Sequence, residues 1–367
     1  MRGRLWLAGL AVAVTAVVLS GRAVMVPVAG TDQPAVGATG QVSGSWTAKT
    51  HPEWTDDDVQ PRVQIGLRTS DDHDHWGFGV PIAELSGLPA GARDGVIKDA
   101  RFALTREAGT FQFTGTFDQG QGTGTFVFSP SGIYVTAMAQ FGYRALPTDQ
   151  LMHLAVLDVT TAFVRDVREA GQTGLALDDL TRMKIHGVTG TNVRELASLG
   201  YRQLDPDTLV RMRIHGASPE VIRDLQKAGL GALSPDDLVS LRIHGVTTAF
   251  IAGLKARNYT GLTADDYTRM RIHGVTLDEI DALKALGLGG LGADQLVQFR
   301  IHGVRPAYIR EMRAAGLTDA GEDDFVSMRI HGVDAAFVRD ARAAGLTIAT
   351  SNDAVDLAIH GRRWRKQ

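Results

Sequence analysis

The sequence has 367 residues and contains no cysteine, and this absence excludes several kinds of chemistry. Disulfide bonds, thiol catalysis, cysteine-based zinc sites and lipoprotein attachment through cysteine all need a residue that the chain lacks. The net charge at pH 7 is only −3, so no overall basic field attracts the chain to nucleic acid. The absence of cysteine does not identify the cellular compartment, because exported bacterial proteins often lack cysteine.

Recognisable catalytic motifs are missing as well. The sequence has no His-Glu-x-x-His pair, no Gly-x-Ser-x-Gly elbow and no Walker loop. We therefore predict no catalytic residue and no cofactor. The alternative is an enzyme whose site lies where a β-domain meets the repeats, near His73, His75 or His153.

Long apolar runs are scarce, and the exception is at the amino terminus. Residues 5–19 carry no charge and follow Arg2 and Arg4. A helix of this length spans about 22 Å, which is short of the roughly 30 Å hydrocarbon core. Residues 1–30 are thus predicted to be a signal peptide, or a signal anchor if residues 5–28 stay in the inner membrane. Either outcome predicts an extracytoplasmic protein, periplasmic or secreted, with residues 31–41 as a flexible linker.

What the sequence has in abundance is a repeat. The tripeptide Ile-His-Gly recurs with a period of 29 residues, which is typical of stacked structural units. Its histidines are His186, His215, His244, His273, His302, His331 and His360.

Each repeat is predicted to be a short helical hairpin. In one unit Ser234 is a helix N-cap, Pro235 takes the first helical position, and Gly245 ends the helix. A second helix follows from Thr247. The apolar positions of the first helix cover a wide arc that only stacking on both sides would bury. These positions are Leu238, Val239, Leu241 and Ile243.

Residues 42–129 have a period of two instead, which predicts five to seven antiparallel strands. The predicted fold class is therefore α+β in two domains. A small antiparallel β-sandwich or partly open barrel precedes an α-solenoid of about eight 29-residue hairpins over residues 130–361. Residues 362–367 form a basic tail.

The row of histidines has two interpretations. Metal ligands or a proton relay would need the side chains to converge, yet equivalent atoms of stacked units lie about 10 Å apart. We therefore interpret them as structural histidines at helix ends.

Charged residues repeat too, with a basic residue before six of the seven isoleucines and an acid near the start of the same six helices. We expect a ladder of ion pairs between units, with a charged binding groove as the alternative. The basic residues are Lys184, Arg213, Arg242, Arg271, Arg300 and Arg329, and the acids are Asp178, Asp207, Asp236, Asp265, Asp294 and Asp323.

One cluster in the β-domain has the side chains of a metal site. It comprises Asp71, Asp72, His73, Asp74 and His75. The cluster also lies between two strand-like runs, where aspartate is a common turn residue, and the spacing demands no specific ion. We keep these five residues as weak metal candidates and predict no bound metal.

The repeat motif, as in residues 238–247, resembles one in the extracytoplasmic region that follows the peptidase domain of some bacterial BlaR1-like membrane metallopeptidases. This chain has no zinc motif and no multi-span membrane domain, so the resemblance transfers no catalytic residue. It implies a sensory or interaction region in envelope signalling.

We therefore expect a non-enzymatic exported binding or scaffold module. Its predicted partner is a protein, a peptide or a cell-wall polymer of the bacterial envelope, with membrane contact through an uncleaved amino-terminal segment. A sensor acting with a BlaR1-like peptidase is the first alternative.

Overall fold

The computed structural model describes residues 40–50, 61–70 and 75–361. The predicted signal segment, most of the linker and the basic tail lie outside these residues. The chain divides into two compact units, Met1–Ile185 and His186–Gln367. In the described residues a sheet precedes a long series of helices, as the α+β prediction requires.

The β-domain is one antiparallel sheet that curls into a half-barrel. Its strand order is β3-β2-β1-β7-β6-β5-β4. Of the two predicted alternatives the partly open barrel agrees with this arrangement, because a sandwich needs two sheets. The strands are β1 (Val42–Thr50), β2 (Arg62–Thr69), β3 (His75–Pro81), β4 (Leu85–Ser86), β5 (Val96–Arg106), β6 (Gly109–Asp118) and β7 (Gln121–Pro130).

Aromatic side chains fill the inner face of the sheet. Trp46 is buried among Phe102, Phe113 and Phe117, and its indole N–H donates to the Thr114 carbonyl at 3.1 Å. The neighbouring Gly124 must be glycine, because a Cβ there would lie 2.0 Å from that carbonyl oxygen. The alternating glycines of β7 therefore belong to a hairpin that packs around the tryptophan.

Four helices complete the first unit. Helix α2 packs on β1, β6 and β7, and apolar side chains of these helices extend the core of the sheet. The helices are α1 (Gly132–Gln140), α2 (Thr148–Val156), α3 (Thr161–Glu169) and α4 (Leu177–Ile185).

The second unit consists of helices that recur at intervals of 29 residues. They are α5 (Gly190–Ser198), α6 (Pro206–Ile214), α7 (Pro219–Lys227), α8 (Pro235–Ile243), α9 (Thr248–Lys255), α10 (Ala264–Ile272), α11 (Leu277–Ala285), α12 (Ala293–His302), α13 (Pro306–Ala314), α14 (Glu322–Ile330), α15 (Ala335–Ala343) and α16 (Ser351–His360). We call α6, α8, α10, α12, α14 and α16 the signature helices, because each ends at Ile-His-Gly.

The start and end signals act as predicted. The Ser234 hydroxyl accepts from the Asp237 backbone N–H at 3.0 Å, and the Asp237 carboxylate accepts from the Ser234 N–H at 3.2 Å. This capping box starts α8, and Gly245 ends it with a φ of 67°. Each signature helix packs against the next one along the chain, from α6 to α16.

Candidate functional site

The isoleucine of the signature is exposed in every repeat. From Ile185 to Ile330 its exposed fraction lies between 49% and 57%, and at Ile359 it is 39%. The apolar residue two positions earlier is buried instead, as in Leu241 and Met270. Two residues along a helix turn the side chain by about 200°, which carries the isoleucine to the opposite side.

This exposure corrects the sequence analysis, which grouped Ile243 with the side chains that stacking would bury. Ile243 is 55% exposed, whereas Leu238, Val239 and Leu241 are buried. We call the six isoleucines of the second unit the isoleucine ridge. They are Ile214, Ile243, Ile272, Ile301, Ile330 and Ile359.

Successive members of the ridge lie on neighbouring helices with their ends side by side. The Arg300 Nε of α12 donates to the carbonyl oxygen of His273, at the end of α10, over 2.9 Å. Arg329 donates in the same way to His302 over 3.3 Å. Packed helices lie about 8–10 Å apart, so the isoleucines recur at about that interval.

Arginines that precede the isoleucine contact side chains of the preceding repeat. The guanidinium of Arg271 lies 5.2 Å from the ring centre of Phe250, and that of Arg329 lies 4.9 Å from Tyr308. Glu279 occupies the position equivalent to Phe250 and Tyr308, and Arg300 forms a 3.2 Å ion pair with it. Burial raises the pKa of the Glu279 carboxyl, and the adjacent Arg305 guanidinium opposes that rise.

The predicted ladder of ion pairs needs a correction. Asp236 and Asp294 do pair with the preceding repeat, but with Arg211 and Arg269, which lie two residues before the predicted basic residues. The Arg269–Asp294 contact measures 2.7 Å. Because these four side chains are 41% to 78% exposed, each pair contributes little stability.

The histidines of the signature lie at or next to helix ends. His215, His244, His273 and His331 are the C-cap residues of their helices. Their side chains are half-buried from His186 to His302, whereas His331 and His360 are exposed. Within residues 40–50, 61–70 and 75–361, no three histidine, aspartate or glutamate side chains form a group that could hold a metal ion.

The Asp71–His75 cluster is mostly outside the described residues, which include only His75. His75 begins β3 with an exposed side chain, directly across from Arg68. The next residue, Trp76, faces the opposite side of the sheet and stacks on His153 of α2 with 6.0 Å between ring centres. His75 and the Trp76–His153 pair therefore lie on opposite sides of the sheet.

In the first unit, Val156-Leu157-Asp158 takes the place of Ile-His-Gly, and its aspartate connects the sheet of this unit to its helices. Asp158 stands in the place of the glycine and has a φ of 52°. Its carboxylate lies 3.4 Å from the Arg106 guanidinium of β5 and 3.9 Å from the Lys184 ammonium of α4. Aspartate tolerates this left-handed conformation better than most residues, so the position can carry a charge.

Sequence reasoning missed one set of contacts between repeats. The tyrosine that follows the helix-closing glycine or asparagine donates its hydroxyl proton to a carbonyl 32 residues later. Tyr201 donates to Leu233 and Tyr259 to Leu291, both over 2.8 Å, and Tyr143 donates to Leu175 over 3.0 Å. The recurrence of tyrosine at every second unit was the available signal.

Comparison with protein-family models and with curated proteins gave no match. Among the described residues, each helix is too short or too polar to cross a bilayer.

Proposed function

We propose that the hairpins stack into an α-solenoid of about eight units. Within the second unit, consecutive signature helices pack together, and so do α5 with α7, α9 with α11 and α11 with α13. Side chains also cap helix ends in the preceding repeat, as when Arg313 donates to the Leu286 carbonyl over 2.7 Å. These contacts repeat the same relation from one hairpin to the next, which supports the proposal.

We further propose that the solenoid is a non-enzymatic binding scaffold and that the isoleucine ridge is its binding surface. The observation that carries this is the exposure of the isoleucine in every repeat. The rest of the signature has a use inside the array: the arginine and the histidine carbonyl join neighbours, and the glycine ends the helix. The isoleucine side chain is left for a partner, and a row of exposed apolar side chains is typical of an interaction surface.

From the sequence we expected a protein, a peptide or a polymer of the bacterial envelope as the partner, and the test below also includes the membrane. The extracytoplasmic location rests on residues 1–30, and the sensory alternative rests on the resemblance to the BlaR1-like region. Both remain predictions.

The test replaces Ile243, Ile272 and Ile301 together with glutamine in the full chain. Glutamine favours a helix about as well as isoleucine does, and the sites are exposed, so the midpoint of thermal unfolding should change little. Binding to separated membrane, cell-wall and soluble envelope fractions of the host should fall sharply.

The matched control places glutamine at Ala256, Ala285 and Ala314. These alanines are exposed, recur at the same interval and lie at the ends of second helices. The control should bind as the unaltered chain does. If the isoleucine variant binds every fraction as well as the control does, the ridge is not the binding surface.

A further inference from the structure

We propose that the isoleucine ridge binds the surface of an anionic lipid bilayer. This inference rests on the proposed function, because it names the partner of the same ridge. Three features of the described residues lead to it: the alignment of the isoleucines, the charge around them, and their uniformity.

The alignment is continuous along the second unit. Backbone carbonyls of His273 and His302 accept from arginines of the following signature helix, so the carboxyl ends of these helices lie next to one another. Each end presents one isoleucine, about half exposed. A line of aliphatic side chains at the rim of a protein can enter the boundary between headgroups and acyl chains, as the apolar face of an interfacial helix does.

Arginine side chains recur beside the ridge. Each signature helix from α6 to α14 has arginine in its last turn and an acid in its first turn, so the isoleucines lie at the basic edge. The adjoining second helices begin with some carboxylates, at Glu220, Asp278, Glu279 and Asp334. Glu279 is paired with Arg300 and Arg305. Arginines beside an apolar line are complementary to anionic headgroups.

The ridge is also uniform, whereas several other exposed positions vary. Equivalent exposed positions of the second helices carry Ala252, Asp281 and Arg310. The ridge has isoleucine in all six units. A partner with its own amino-acid sequence would meet different side chains at different units, but a bilayer presents the same chemistry at each one. Uniform contacts therefore favour a bilayer over a specific protein.

A second copy of the chain is a poorer occupant by charge. In a symmetric dimer that joins two ridges, each basic edge would approach its equivalent, and like charges repel. An anionic surface meets the same edge with the opposite charge.

The absence of cysteine from the chain allows a site-specific test on the full-length protein. Ile272→Cys places a single thiol on the ridge, and Ala285→Cys places one on the second helix of the same repeat. Each is labelled with a polarity-sensitive fluorophore and mixed with vesicles. One set is phosphatidylcholine alone, and the other is an equal mixture of phosphatidylcholine and phosphatidylglycerol.

We expect the label at position 272 to shift its emission to the blue with the mixed vesicles, and the shift to weaken at high salt. The label at position 285 should not shift. Because the comparison is between two sites of one chain, vesicle binding through residues 5–28 cannot imitate the result. The Ile243, Ile272 and Ile301 to glutamine variant should lower ridge-dependent partition by about a hundredfold.

Equal responses at positions 272 and 285 would overturn the inference, and so would an equal shift with phosphatidylcholine alone. If the label on the ridge ignores both vesicles but responds to soluble envelope proteins or to cell-wall polymer, the bilayer is the wrong partner. The proposed binding function would then still stand.

Discussion

The four residues of the Arg-Ile-His-Gly stretch have different environments although they are adjacent in the chain. In α12 the Arg300 guanidinium donates to the His273 carbonyl of the preceding repeat, and Ile301 is exposed. The His302 carbonyl accepts a hydrogen bond from Arg329 of the following repeat. The glycine has a positive φ of 72° in Gly303, which a residue with a Cβ adopts at a cost of about 1–2 kcal/mol. Repetition of a motif thus does not mean that its residues share one role.

The signature glycine is needed for a second reason, which is the room that it leaves for the arginine of the next repeat. In Gly274 a Cβ would lie 2.6 Å from the Arg300 Nη2, so alanine must push the guanidinium away from the His273 carbonyl. Gly332 has the same φ of 72° but no atom within 4 Å of that position, because Ala358 replaces the arginine of the last repeat.

We expect Gly274→Ala to lower the free energy of unfolding by about 1 kcal/mol more than Gly332→Ala does. The extra loss is that of the displaced arginine hydrogen bond. Urea unfolding followed by circular dichroism measures both variants. Equal losses would mean that the arginine contact contributes nothing.

At the scale of the element, each helix is short and depends on its ends. Helices of eight to ten residues are marginal in isolation, so end contacts and packing must support them. Several starts use a carboxylate as well as a hydroxyl. In α10 the Asp266 carboxylate accepts from the Thr263 N–H at 2.9 Å and from the Thr263 hydroxyl at 2.8 Å.

These caps predict that the protein loses stability as the pH falls into the acid range. The backbone N–H of Thr263 is the main cause that lowers the pKa of Asp266 below its ordinary 3.8. A group with a lowered folded pKa adds stability above its unfolded pKa and loses it as pH falls through the folded value. Asp205 and Asp353 cap other helices with lowered pKa values for the same reason.

We therefore expect the unfolding midpoint to fall as pH drops below about 4, and part of this fall to disappear in Asp266→Asn. Asparagine keeps an acceptor without a titrating charge, as Asn192 does in the capping box of α5. Thermal unfolding from pH 7 to pH 2 measures the effect. Asp265→Asn removes a charge from the same turn outside the cap, and a pH profile equal to that of Asp266→Asn would refute the capping explanation.

At the scale of the whole molecule, the proposed solenoid makes each repeat interchangeable with its neighbours. Removal of residues 264–292 deletes one complete period. It joins Thr263, the N-cap of α10, to Ala293, the first residue of α12, which is equivalent to the deleted Ala264. We expect this shortened chain to fold with unchanged helicity per residue and a modestly lower unfolding midpoint, because each hairpin contacts chiefly its neighbours.

The control for this deletion removes residues 264–278 alone. It takes away α10 together with the N-cap and the first two residues of α11, and it leaves the rest of α11 without a partner of its own repeat. This chain should therefore lose cooperative unfolding. Far-ultraviolet circular dichroism during heating measures both chains. If the full-period deletion unfolds like the half-period one, the repeats do not behave as interchangeable units.

The helices and their boundaries could be predicted because their signals are local. Ser234, Pro235 and Gly245 specify a start and an end within twelve residues, and the helix in the structure has these ends. The open sheet was harder, because the alternation of Phe111 and Phe113 shows a buried face without showing how the strands are ordered. The pairing of β1 with both β2 and β7 joins the strands into one curled sheet, and this pairing is seen only in the tertiary structure.

The sequence by itself determined the period, the hairpins and the uniformity of the signature, because these depend on residue order and backbone preference. Tertiary structure alone decided which apolar positions are buried, since an isoleucine on a helix faces core or solvent according to what packs there. It placed Ile243 outside, turned Arg300 toward the preceding repeat and paired Asp294 with Arg269. The candidate site is therefore visible in the sequence as a repeat and becomes a surface only when neighbouring helices have packed.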